Sequence, residues 1–277
     1  MPIRLVAVDL DGTLLNSRSE ISDANRQALT AAAERGIQFI VVTGRRFHSA
    51  RPIIEQIPFP LTLISSNGAL IGTPAGEVVH RNFLPRATAK SILGIARHFR
   101  AHGVAIFDIP GRGQVVMQEG AVPEGPLSWY QERSPDALSI VPDLEAALTT
   151  DPVQLMFGGP PAQMGPLEPL LRDSPAGPDV HLTWTKYFTR NMSILDVMNR
   201  GCSKGGALKL WTESCGIHPS EVMAIGDNYN DLEMLRFSGC PVLMGNCTPG
   251  LDQEGWPVTL SNDQDGVAAA IHSYVLR

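Results

Sequence analysis

Uninterrupted apolar runs alternate with helix-patterned stretches along the first part of the chain. Leu5-Val6-Ala7-Val8, Ile37 to Val42 and Leu61 to Ile64 have the continuous apolar character of strands buried on both faces. Between the first two, Ser22 is placed to cap a helix whose apolar positions are Ala24, Ala28, Leu29 and Ala32, and which Gly36 ends. A second helix is predicted from about Phe47 to Gln56. Buried strands separated by helices predict βαβ units and a parallel sheet covered on both faces.

From about Leu84 to Arg190 the pattern changes. Proline and glycine cluster at Pro110-Gly111, Pro123-Glu124-Gly125-Pro126 and Gly158-Gly159-Pro160-Pro161, and shorter, alternating strands are predicted at Val104 to Asp108 and Gln114 to Met117. Helices are predicted at Ala87 to His102, Leu144 to Thr149 and Met164 to Leu171. This texture suits an α+β insertion built on an antiparallel sheet. The earlier rhythm then returns with a helix Ser203 to Cys215, a strand Val222 to Ile225, a helix Asp231 to Phe237 and a final helix from Gly266. The expected fold is therefore α/β: a doubly wound, mostly parallel core formed by residues 1–84 and 191–277, interrupted by an α+β domain over 85–190.

A chain of 277 residues with 43% hydrophobic and 18% charged residues can bury a large core and is neither disordered nor fibrous. The net charge of -6 provides no basic footprint for nucleic acid or anionic membranes, so neither is an expected partner. Cys202, Cys215, Cys240 and Cys247 lack the spacing of a zinc or redox site and are expected to be reduced. The first residues reach Asp9 too soon for a secretory apolar region, and no segment approaches the roughly 18 apolar residues of a membrane span. A cytoplasmic protein is expected.

The chemistry is concentrated where strands end. The first strand runs into Asp9-Leu10-Asp11-Gly12-Thr13, two carboxylates one residue apart. Burying charge is costly unless it is paired or ligates a metal, so the pair suggests a cation site and a positioned nucleophile, although Asp, Gly and Thr also make ordinary turns. The second strand ends in Thr43-Gly44-Arg45, where a hydroxyl and main-chain N–H groups could hold phosphate or simply begin a helix. Val222 to Ile225 ends in Gly226-Asp227-Asn228-Tyr229-Asn230-Asp231; helix capping accounts for Asp231 but not for Asp227. Lys204 falls in the first turn of its helix, where a cation opposes the dipole unless an anion sits beside it. An all-oxygen carboxylate set favours Mg²⁺.

Taken in order, Asp9-Leu10-Asp11-Gly12-Thr13-Leu14, Thr43-Gly44-Arg45, Lys204-Gly205 and Gly226 to Asp231 resemble the four motifs of the haloacid dehalogenase-like phosphatases. With Ser65-Ser66-Asn67-Gly68-Ala69, Met244-Gly245-Asn246 and Ser261 to Val267, the chain is similar to the Cof-type subfamily IIB, which has a Rossmann-like core and a C2 cap. The resemblance implies that Asp9 attacks phosphorus to form an aspartyl-phosphate, with Asp11 as the general acid and base. It implies Mg²⁺ held by the Asp9 carboxylate, the Asp11 carbonyl and Asp227, with Asp231 orienting metal-bound waters. Thr43, Gly44, Lys204 and Asn230 would hold the phosphoryl oxygens, and Asn67 would touch substrate.

The implied activity is Mg²⁺-dependent hydrolysis of small phosphorylated metabolites, sugar phosphates first. The alternatives are a nucleotide or cofactor phosphate (pyridoxal or flavin) phosphatase and a non-catalytic binder of a phosphorylated metabolite. Asp11 stands where related transport ATPases carry threonine, and related phosphomutases insert a helical cap directly after the first motif; both are disfavoured. Within the cap, His181, Trp184, Lys186, Tyr187 and Arg190 are candidate substrate contacts, each with packing or solvation as the alternative. Asp196 is expected to be structural. Substrate identity and oligomeric state are not written in these motifs.

Overall fold

The computed structural model describes residues 2–109, 111–121, 126–187 and 191–277. The chain divides into two compact units, one formed by Met1–Arg81 with Ser203–Arg277 and the other by Asn82–Cys202. The expected divisions at 84/85 and 190/191 therefore shift. The second moves by more than a strand length because Met192–Asn199 pairs antiparallel with Val180–Tyr187 along its whole length, which binds it to the inserted unit.

The first unit holds a seven-stranded sheet in the order Cys240–Leu243, Val222–Gly226, Leu5–Asp9, Gln38–Val42, Thr62–Ser65, Leu70–Gly72, Val78–Arg81. The first five strands run parallel, and the last two add an antiparallel hairpin at one edge. Leu5–Asp9 is interior to the sheet and buried along its whole length, as its unbroken apolar character predicts. Because side chains alternate across a strand, Leu5 and Ala7 enter one core with Ile40, Val42, Ile64, Leu208 and Leu235, while Val6 and Val8 face the opposite layer. Each fully buried Leu or Val stabilises the fold by about 1.5–3 kcal/mol, so a charge introduced into this strand would be expelled.

The helices flanking the sheet start where their caps are. Ser22 accepts from the Asn25 N–H at the head of Asp23–Glu34, and Ser203 accepts from the Gly206 N–H at the head of Lys204–Ser214. The helix Asp23–Glu34 packs beside the final helix Gly266–Tyr274. Their junction contains a buried amide: Asn25 Nδ2 donates to the Leu14 carbonyl at 3.4 Å and its Oδ1 accepts from the Ala268 N–H at 2.9 Å.

The second unit is a six-stranded sheet in the order Val180–Tyr187, Met192–Asn199, Gln154–Gly159, Gly103–Ile106, Val115–Gln118, Leu138–Val141, antiparallel except for its last pair. Leu155, Phe157, Leu195 and Val197 share a core with Ala89, Ile92 and Leu93 of the helix Arg86–Ile95 and with Leu167 and Leu171. The expected helix to His102 stops at Ile95 and tightens into a 3₁₀ segment over Arg97–His102. The expected helix Met164 to Leu171 is two pieces, Pro161–Met164 and Leu167–Arg172, because Pro166 cannot continue the preceding turn. The α/β class with a mostly parallel sheet and an inserted α+β unit stands as expected.

Replacing Asn25 by alanine leaves the Ala268 N–H without its acceptor at the head of the last helix. Urea unfolding of Asn25→Ala should show a loss of about 1–3 kcal/mol without a change in secondary structure. An unchanged midpoint would remove this amide from the account of how the terminal helix is held.

Candidate active site

Parallel pairing places three polar strand ends side by side. Asp9 ends its strand opposite Val42, the residue before Thr43, and Val8 pairs with Ile225, two residues before Asp227. The same topology that buries Leu5 to Val8 therefore delivers Asp9, Thr43 and Asp227 to one edge of the sheet.

Lys204 enters from the N-terminus of its helix, almost completely buried, and its Nζ lies 2.5 Å from Asp9 Oδ1 and 2.6 Å from Asp231 Oδ1. A lysine at that position was expected to need an anion, and it has two. Gly205 makes the approach possible: a Cβ there would lie 2.6 Å from the Glu233 carbonyl carbon, so the helix could not seat so deeply with any larger residue. The other Asp231 oxygen accepts the main-chain N–H groups of Asp227 and Asn228, each at 3.0 Å. Asp231 thus fixes both the lysine and the loop that carries Asp227.

Oxygen atoms of Asp9, Asp227 and Asp231 lie within 4.8 Å of one another, all from buried residues. Three acids crowd one ammonium, and with all three ionised two negative charges would stay uncompensated. Burial raises the Asp9 pKa from 3.8 to about 7; Lys204 opposes the shift, and the charges of Asp231 and Asp11 add to it. Burial also raises Asp227 well above the ordinary carboxylate range, with Asp9 and Asp231 adding to the shift and the Thr13 hydroxyl, 2.9 Å from Asp227 Oδ1, opposing it. Burial alone would lower the pKa of Lys204, but Asp231 and Asp9 outweigh it and raise that pKa above its ordinary value. A hard divalent cation with oxygen ligands fits this donor set and its residual charge.

Asp11 lies apart from the cluster. Its carboxylate is partly exposed and held in a two-pronged pair by Arg45, with Nε to Oδ2 at 2.7 Å and Nη2 to Oδ1 at 2.5 Å. Between the two aspartates and Asp227, Gly12 has φ +82°, and a Cβ there would fall 2.6 Å from Asp227 Oδ2. Only glycine lets the loop descend onto that carboxylate.

Thr43, Gly44, Asn67 and Asn230 form a second group. The Asn67 N–H donates to the Thr43 carbonyl at 3.0 Å, and Asn230 Nδ2 donates to Asn67 Oδ1, also at 3.0 Å. The same Asn67 oxygen lies 3.1 Å from where a Gly44 Cβ would sit. Ser66 and Asn67 hold left-handed backbone at φ 48° and 51°, a strained turn kept in place by burial and by the Thr43–Arg45 loop. The Thr43 hydroxyl accepts from the Arg45 N–H, which leaves its own proton to donate.

In the second unit, His181, Trp184, Lys186 and Tyr187 lie on one half-buried strand. Trp184 Nε1 donates to Glu168 at 2.5 Å and Lys186 Nζ sits 5.8 Å from the Trp184 ring centroid, so these two are engaged within their own unit. Asp196 is buried and accepts from Gln154 Nε2 at 2.7 Å. Arg190 lies outside the described residues. Reasoning from sequence assigned no role to Arg45 or Thr13; their signal was the motif itself, since both stand inside the runs that end the first two strands.

The profile of the haloacid dehalogenase-like hydrolases matches residues 6–271. The chain belongs to that family. This haloacid dehalogenase-like hydrolase, of the Cof type, is similar to phosphatase YwpJ of Bacillus subtilis, with 29% identity over 96% of this chain and 98% of the relative. It shares 31% identity with an HMP-PP phosphatase of Serratia proteamaculans over 90% of this chain and 86% of the relative. A crystal structure of a haloacid dehalogenase-like hydrolase from Bacteroides thetaiotaomicron superimposes with a TM-score of 0.77 at 28% identity, covering 98% of this chain and 99% of that one. Such company makes the hydrolase a phosphatase enzyme. Among the described residues, no helix is long and apolar enough to cross a membrane.

The raised Asp9 carboxyl predicts a pH dependence. Folding favours its protonated form, so its stabilising contribution is complete below about pH 4, the unfolded pKa, and is lost as pH rises through about 7. In metal-free buffer, Asp9→Asn should therefore gain thermal stability relative to the wild type as pH rises across that window. Mg²⁺ should narrow the gap by stabilising the wild type. A difference in melting temperature independent of pH would contradict the assignment.

Proposed function

We propose that this chain hydrolyses phosphate monoesters of small metabolites, sugar phosphates first among them, with Mg²⁺ as cofactor and Asp9 as nucleophile. The single observation that carries the proposal is the buried Asp9 carboxylate pinned at 2.5 Å by Lys204, at a strand end where two further acids converge. Lys204 holds one Asp9 oxygen and leaves the other to attack phosphorus, forming the aspartyl-phosphate. Asp9, Asp227 and the Asp11 carbonyl would hold Mg²⁺, with Asp231 behind them. When bound, the cation would neutralise charge between the attacking carboxylate and the anionic phosphate.

The Thr43 hydroxyl, the Gly44 N–H, Asn230 and Lys204 supply donors for the phosphoryl oxygens, and the hydrogen bond from Asn230 to Asn67 brings Asn67 to the same region. Asp11 is the acid that protonates the leaving oxygen and the base that then activates water. Both its oxygens are engaged by Arg45, so taking up that role requires Asp11 to swing off the guanidinium. These donors touch only the phosphoryl group that all candidate substrates share. The leaving group must be found by a substrate panel.

Release of inorganic phosphate from p-nitrophenyl phosphate should require Mg²⁺, and Asp9→Asn should lower it by at least about 10³-fold while the circular dichroism spectrum is retained. A panel of sugar phosphates beside pyridoxal and flavin phosphates then assigns the class. Phosphate release by Asp9→Asn near the wild-type rate would sink the nucleophile assignment, and none from the wild type under any divalent metal would sink the activity.

A further inference from the structure

The segment after the Cys240–Leu243 strand reaches two parts of the acidic cluster at once. Asn246 Nδ2 donates to the Gly12 carbonyl at 2.8 Å, and two residues later the Thr248 N–H donates to the Asp227 carbonyl at 2.8 Å. Thr13, joined to Gly12 by the peptide that Asn246 holds, donates its hydroxyl to Asp227 Oδ1 at 2.9 Å. These contacts close a ring from Asn246 to Gly12, along the chain to Thr13, across to Asp227 and back through Thr248. The far side of Asn246 is fixed too, since its Oδ1 accepts from the Asn262 N–H at 2.8 Å. Asn262 Nδ2 in turn donates to the Leu15 carbonyl at 2.9 Å, and Asp263 accepts the Ser17 N–H at 2.8 Å.

Asn246 is exposed, so burial does not compel it to make these bonds. Both ends of its amide are nevertheless used, in a direction that no other side chain of its length reproduces: the nitrogen to Gly12, the oxygen to Asn262. Gly12 has the left-handed conformation at φ +82° and touches Asp227, so rotation of the Gly12–Thr13 peptide would withdraw the Thr13 hydroxyl from Asp227 Oδ1. The carboxylate would then be free to turn among its rotamers.

We propose that Asn246 is a positioning residue for the cation pocket. By holding the Gly12 carbonyl it keeps the Thr13 hydroxyl on Asp227 and presents the free face of that carboxylate to a divalent cation. The inference rests on the reading that Asp9 and Asp227 hold such a cation. Its effect belongs to metal affinity and not to substrate affinity, because none of the ring's atoms is among the phosphoryl donors named above.

The test is Mn²⁺ binding followed by electron paramagnetic resonance of the free ion, on the full chain, without substrate. Asn246→Ala should raise the Mn²⁺ dissociation constant about 10-fold or more, as loss of a hydrogen bond behind a metal ligand commonly does. The Mg²⁺ concentration for half-maximal phosphate release should rise in parallel, while KM at saturating Mg²⁺ stays within about twofold. Asn246→Asp guards against a folding failure: it keeps the acceptor for Asn262, cannot donate to Gly12, and adds a negative charge that by itself would tighten cation binding. Weaker Mn²⁺ binding by Asn246→Asp supports the proposal, and binding equal to or tighter than that of the wild type overturns it. Equal Mn²⁺ affinity in folded Asn246→Ala and wild type also overturns it while leaving the proposed function intact. A wild type that binds no Mn²⁺ overturns both.

Discussion

One ammonium group under the sheet edge organises everything around it. Lys204 is buried between Asp9 and Asp231, and a charge at that depth is tolerated because two carboxyl groups lie within hydrogen-bond reach of it. The constraint runs outward in both directions. To seat the lysine, its helix must press against Glu233, which only Gly205 allows, and Asp231 must be held by the turn that follows Val222–Gly226. To meet it, Asp9 must end a strand with a neighbour on each side, which requires the parallel pairing of Gln38–Val42 and Val222–Gly226. Neutralisation is deliberately incomplete in charge terms, and the remaining negative potential is what suits the pocket to a small hard cation.

The core was legible because burial and chemistry share one signal there. A run such as Leu5 to Val8 has the character of an interior strand, and an acid immediately after it falls where that strand ends, in a turn or at a site. Lys204 was legible for a related reason, since a cation against a helix dipole demands an anion. The partner of Asp11 was not legible. Arg45 reaches it through a long side chain whose direction depends on the loop beginning at Thr43, and sequence spacing carries no information about that. Asn25 and Asn246 were missed because an asparagine beside turn residues looks the same whether it caps, faces water or ties distant segments together.

The inserted unit was harder to read for a different reason. Every position of Val180–Tyr187 is partly exposed, so no alternation of inside and outside marks it as a strand, and Met192–Asn199 mixes Ser193 and Asp196 into its apolar run. The different boundary follows directly: with Val180–Tyr187 and Met192–Asn199 unrecognised as a strand pair, the expected return to the core at 190/191 fell between them. The hairpin Leu70–Gly72 with Val78–Arg81 escaped for want of length, three and four residues being too short for periodicity to register.

The order of strands in the sheet has a consequence for how the protein comes into being. Leu5–Asp9 is made first, yet one of its two neighbours, Val222–Gly226, is made only after the entire inserted unit. A nascent chain emerging from the ribosome therefore carries Asp9 through most of synthesis with one side of its strand unpaired and Lys204 not yet made. Domains generally fold as units during synthesis, and the second unit is continuous in sequence, so it can be complete while the first still waits. The acidic cluster is thus among the last features the growing polypeptide completes, since Lys204, Asp227 and Asp231 all follow the inserted unit.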